Sequence, residues 1–119
     1  MVVADVDFEA AATFSRDRLL TRRMTGLIAD ECVHPASGRE LPHLLTSAGL
    51  KDVTVSFRAL SAPYEFCLHV SSGALRSAIE RKKVTQEEVD AWLQELAFLE
   101  DAGQFFKSWP VTIVSGVVV

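Results

Sequence analysis

The chain has 119 residues, a net charge of −4, 49% hydrophobic and 24% charged residues, the proportions of one folded unit with a core of its own. That charge balance leaves no electrostatic footprint for nucleic acid or an anionic membrane, and no run approaches the ~20 apolar residues of a membrane span. Cys32 and Cys67 are too few and too isolated for a disulfide framework or a metal knuckle, and the N-terminus lacks a signal-peptide layout, so the cytoplasm is the expected compartment.

The first element is a strand over 2–6, Val-Val-Ala-Asp-Val, short and apolar enough to expect burial on both faces. Asp5 and Asp7 then stand at or just past its carboxyl end. Ser15 is placed to cap a helix running to about Cys32. Leu20, Met24, Leu27 and Ile28 fall on one face of it, with Arg16, Arg18, Arg22 and Arg23 around the solvated remainder. Pro35 and Gly38 mark a loop. Ser37 and Glu40 have capping-box spacing, but a start there puts Pro42 beyond the first turn, where its ring and missing N–H both cost. The next helix is therefore expected to begin at Arg39 or Glu40. Leu41, Leu44, Leu45 and Ala48 are its buried stripe, and Gly49 its end.

Residues 52–60 alternate Val53, Val55, Phe57 against Thr54, Ser56, Arg58, a strand with one drier face. A helix over 64–82 carries Leu68, Leu75, Ala78 and Ile79 and is weakened near Gly73. Thr85 and Glu88 form a capping box, with Val84 and Val89 at staple positions. Val89, Trp92, Leu93, Leu96 and Leu99 continue that helix to Gly103. Phe105, Phe106 and Trp109 are expected in a loop, and 111–119 as a last, central strand. The order β, α, α, β, α, α, β makes residues 1–119 one α/β unit of three strands and about four helices.

Three segments, "ADVDFE", "GRELPHLLTSAGLKDVTV" and "VTQEEVDAWLQELAFLEDAGQFFKSWPVTIVSGV", occur in an order and spacing that resemble a known family. They are similar to the C-terminal part of class I S-adenosylmethionine-dependent methyltransferases, the small-molecule enzymes related to ubiquinone and menaquinone biosynthesis. The resemblance implies a Rossmann-like sheet in which 2–6 is strand five, 52–60 strand six and 111–119 strand seven. The last would run antiparallel between the other two, order 5-7-6. The family's glycine-rich turn and the acid after its second strand have no counterpart here, and no Gly-x-Gly occurs. The chain thus resembles the back half of a methyltransferase domain, with the cofactor-binding half elsewhere.

On that resemblance the chain contributes acceptor-pocket residues for a small, apolar metabolite, with S-adenosylmethionine as cofactor. Asp7 and His34 are the candidate acid–base groups, the histidine because it titrates near neutrality. Asp5, Phe8, Met24, Arg39, Phe105, Phe106 and Trp109 are the candidate acceptor-binding residues. Each has a structural alternative: cap or loop duty for the acids and histidine, a helix-start ion pair for Arg39, core packing for the aromatics. With strand four missing, the edge of 2–6 is expected to recruit the missing N-terminal half or a second copy. The competing function is a non-catalytic dimerising or ligand-binding remnant of the same fold.

Overall fold

The computed structural model describes residues 1–119. Strand β1 (Val2–Val6) leads into a 3-10 turn (Phe8–Ala10) and a two-residue strand β2 (Ala12–Thr13). Helices α1 (Arg18–Asp30) and α2 (Ser37–Ser47) precede strand β3 (Lys51–Ser61). Helices α3 (Tyr64–Glu80) and α4 (Gln86–Asp101) then lead to strand β4 (Lys107–Val117). The fold is α/β, with four helices and an open antiparallel sheet of four strands rather than the three expected. β4 runs through the middle, antiparallel to every partner. Val3 and Val55 both face Val114, one from each side, and Asp5 and Phe57 both face Thr112. β2 continues the β1 side, opposite Lys107 and Ser108.

A proline inside a middle strand needs an explanation, because it cannot donate to the ladder. Pro110 sits where β1 stops. Its carbonyl accepts from Asp7 N at 3.0 Å, and the Asp7 carbonyl, with no proline N–H to meet, accepts from Ala10 N at 3.3 Å instead. The missing donor thus coincides with the turn out of β1. The paired bonds between Met1 and Gly116 also fix which amides of β1 face outward. Since bonded pairs alternate, Val3 and Asp5 bond β4, while the N–H groups of Val2, Ala4 and Val6 point away from it. The Asp5 carboxylate takes the Val6 N–H at 2.8 Å, leaving Val2 and Ala4 open.

The core is helical. Met24, Leu75, Ala78, Val84, Val89, Trp92, Leu96 and Leu99 form one buried cluster, with Leu20, Leu27 and Ile28 packed against it. Trp92 donates from Nε1 to Thr21 Oγ1 at 2.9 Å, so its polar end is satisfied. The capping box of Thr85 and Glu88 is present, and Val84 and Val89 are both buried as a staple. α2 lies apart, on the sheet face that carries Val3, Asp5, Thr112 and Val114, whereas α1 and α3 meet the opposite face near Lys107 and Trp109. The radius of gyration, 16.7 Å, exceeds the roughly 13.5 Å of a compact chain this long, because the sheet extends beyond the helical core.

Several expectations are corrected. β1 is not buried on both faces: Val2 is 71% exposed and Ala4 is also exposed. Asp17, not Ser15, caps α1, accepting from Leu20 N at 3.0 Å, and the helix ends at Asp30. α2 begins at Ser37, so Pro42 lies inside it. The reason is Gly38, whose missing side chain lets the helix start rest on β1: an added Cβ would lie 2.9 Å from Asp7 N and 3.0 Å from Asp5 O. Leu41 is buried, but Leu44 and Ala48 of the expected stripe are exposed. β3 has no dry face, with Phe57 69% exposed. β4 begins at Lys107, which takes Trp109 out of the expected loop and into the strand.

Candidate functional site: a cleft at the carboxyl ends of two strands

β1 ends at Val6 and β3 at Ser61, both beside the start of β4. A cleft of about 380 Å³ opens at that end, between α1, α3 and β4. Open α/β sheets bind ligands beyond the carboxyl ends of their strands. The turn after β1 carries Phe8 onto Trp109, edge to face, with ring centroids 6.2 Å apart. Ile28 of α1 and Val70 and Ala74 of α3 supply further apolar wall. Glu31, also on the wall, is paired with Arg81 at 3.5 Å.

Lys107 is the unusual member. It opens β4 on the same face as Trp109 and is only 6% exposed. Its Nζ lies 5.3 Å from the centre of the Trp109 ring. All the ion pairs of the molecule use arginines, so no carboxylate neutralises this ammonium. Burial pushes its pKa down, opposed by Cys67. Burial likewise pushes the Cys67 thiol up, with Lys107 opposing. The Cys32 thiol on the cleft wall is raised by burial and then by Glu31. Lys107 and Ser71 also line a separate small cavity of about 10 Å³, together with Thr13, with room for about one water. Thr13 Oγ1 is buried there without a hydrogen-bond partner.

Asp7 and Arg39 meet on the other face of the sheet. Arg39 Nε donates to Asp7 Oδ2 at 2.6 Å and Nη2 to Oδ1 at 2.8 Å, a bidentate pair. Asp7 is buried, and its Oδ1 also accepts from Ala10 N at 3.2 Å, capping the turn after β1. The pair raises the Arg39 pKa, chiefly through the hydrogen bond. It ties the start of α2 to the end of β1, beside a shallow groove of about 220 Å³ that also touches Val55 and Phe57.

The structure therefore divides the residues singled out in the sequence. Phe8 and Trp109 line the cleft together. Asp7 and Arg39 share the groove on the opposite face, and Asp5 holds the edge of β1. Met24 is fully buried in the helical cluster and lines neither space, which removes it from the acceptor wall. Phe105 packs edge to face on Tyr64, at 5.2 Å, against the small cavity, and Phe106 is half exposed. His34 is exposed in the turn before α2, lining neither cleft nor groove. The sequence pattern puts Lys107 in the loop of Phe105, Phe106 and Trp109, where a lone lysine marks no site. The available signal was a lone charge between "FF" and "W" at the head of an apolar strand.

No group of three or more histidine, cysteine or acidic residues is arranged to hold a metal ion. S-adenosylmethionine does not fit the residues present. Gly49 and Gly103 end helices, Gly38 and Gly116 are filled by their neighbours, and Gly26 and Gly73 stand within helices, so none makes a backbone cradle. No helix is long and apolar enough to cross a membrane. No protein-family model matches the chain, and no curated protein matches it significantly.

Proposed function

We propose that this chain supplies the methyl-acceptor side of an S-adenosylmethionine-dependent methyltransferase acting on a small, apolar metabolite in the cytoplasm. The cofactor would be held by a glycine-rich segment outside these residues. One observation carries the reading: a mainly apolar cleft at the carboxyl ends of β1 and β3, in a sheet whose last strand runs antiparallel between them. The resemblance described above supplies the reaction class. Phe8 and Trp109 would face the acceptor, and Asp7 with Arg39 would hold the end of β1 in place.

Calorimetry with S-adenosylmethionine tests the division of labour. The chain alone is expected to bind it weakly or not at all, and methyl transfer is expected on co-expression with the reading frame immediately upstream, if that frame encodes a glycine-rich βαβ unit. Tight binding by the chain alone contradicts the proposal, as does an upstream frame without such a unit.

A second reading, a dimerising or ligand-binding module without catalysis, is favoured by the border of the sheet. The N–H groups of Val2 and Ala4 face outward on β1, and Val2, Val55 and Phe57 are exposed beside the two free edges. Light scattering separates the two. A tight homodimer that also blocks the β1 edge against a second segment favours the module.

A further inference from the structure

We propose that the ligand of the cleft is an apolar monocarboxylic acid, its carboxylate seated on Lys107 and its body lying between Phe8, Trp109 and the α1 and α3 walls. This rests on the acceptor reading only in calling that ligand the methyl acceptor; the binding site stands on its own geometry.

A lysine this deeply buried is expected to be paired, because an isolated charge out of water is costly. Lys107 has no paired carboxylate; its ammonium lies over the Trp109 ring, and the residue lines both the cleft and the small cavity. A second buried polar group stands beside it. Thr13 is directly opposite Lys107 in the β2–β4 register, and its hydroxyl has no partner. Ser71, also buried, lines both spaces. One cation and two hydroxyls match the charge and donor capacity of a single carboxylate. A doubly charged phosphate would bring more acceptor oxygens than these groups satisfy. The remaining wall is mainly apolar and aromatic, with Thr25 and Glu31 as its other polar members, and the cleft volume of about 380 Å³ is that of a small-molecule site. Glu31 stands on the wall already engaged by Arg81, and disfavours a ligand with a second negative group.

The test is calorimetric titration of the full chain with 2-naphthoate and with its neutral counterpart 2-naphthamide, in the absence of S-adenosylmethionine. The naphthoate is expected to bind about 10-fold more tightly, the worth of one charge-assisted hydrogen bond. Lys107→Met is expected to bring the two affinities together, and Ala74→Phe, which fills the cleft, to weaken both. Equal affinities for the unaltered chain overturn the proposal. So does a preference that survives Lys107→Met, or failure of the folded chain to bind either probe. Should Lys107→Met not fold, the Lys107 side-chain NMR signals of the unaltered chain must move with 2-naphthoate and stay put with 2-naphthamide; the reverse overturns it. Carboxylate preference without methyl transfer contradicts only the enzyme reading. Methyl transfer without carboxylate preference contradicts only this one.

Discussion

Trp92 and Phe57 are both large aromatics flanked by regular apolar patterning, yet Trp92 is 2% exposed and Phe57 69%. Trp92 belongs to the body made by α1, α3 and α4, where three amphipathic helices close on one another and every large side chain of the central cluster finds cover. Phe57 belongs to the sheet, where the single helix α2 covers part of one face and leaves the β3 end bare. A pattern of apolar residues states which side of an element is meant to be dry. Whether it becomes dry depends on how many other elements reach it, and three helices close a core that one helix over a four-stranded sheet does not.

Substitutions that sharpen this contrast differ most in the core. Trp92→Ala is expected to destabilise the chain by about 3–5 kcal/mol, through lost contact and the cavity it leaves in the central cluster. Phe57→Ser, an equally drastic change on paper, is expected to stay within about 0.5 kcal/mol. Denaturant titration of both checks the pair, and similar losses would erase the distinction. Gly38→Ala comes next. The new Cβ would press on the β1 backbone rather than on a flexible side chain, so a loss of about 1–3 kcal/mol is expected in the same titration.

Lys107→Met tests the seam between the two regions. Burial holds the folded-state pKa of Lys107 below its ordinary value of 10.5. Below the folded-state value both states carry the proton and the folded chain bears the cost of the buried charge. Between that value and 10.5 the unfolded chain binds more protons, so stability rises with pH across this window. The variant is expected to be more stable at neutral pH and to lose that rise, read from thermal melts between neutral and alkaline pH. An unchanged profile would mean that the ammonium is hydrated after all.

The smallest effect on stability, and the most specific, is expected from Ala4→Pro. The N–H it removes is one that points away from β4, so no ladder bond is lost. Sedimentation velocity should show less self-association than in the unaltered chain, at nearly the same melting temperature. A large drop in stability would mean that the register of β1 differs.

Much of this architecture is legible in the residues. The Thr85–Glu88 box, the Val84–Val89 staple, the Leu20–Met24–Leu27–Ile28 stripe and the helix ends at Gly49 and Gly103 rest on local geometry, and local geometry is written within a few positions of sequence. What was not legible depends on distant partners. The start of α2 is set by the fit of Gly38 on β1 and by Arg39 reaching Asp7, 32 positions away, which together outweigh the unfavourable Pro42. The length of β4 is set by strands on both sides, which drew Lys107, Ser108 and Trp109 into the sheet. The site shows the same division. Phe8 and Trp109 were recognisable as apolar wall, whereas Lys107 gains its meaning only when α1, α3 and β2 bury it.

The central contrast, a closed helical core beside a sheet with an unfinished border, is tested most directly by native-state hydrogen exchange in dilute solution. The amides of α4 around Trp92 and Leu96 should exchange only with global unfolding, those of Val3 and Asp5 more slowly than those of Val2 and Ala4, and raising the protein concentration should selectively protect Val2 and Ala4. Uniform protection across β1, independent of concentration, would contradict the account.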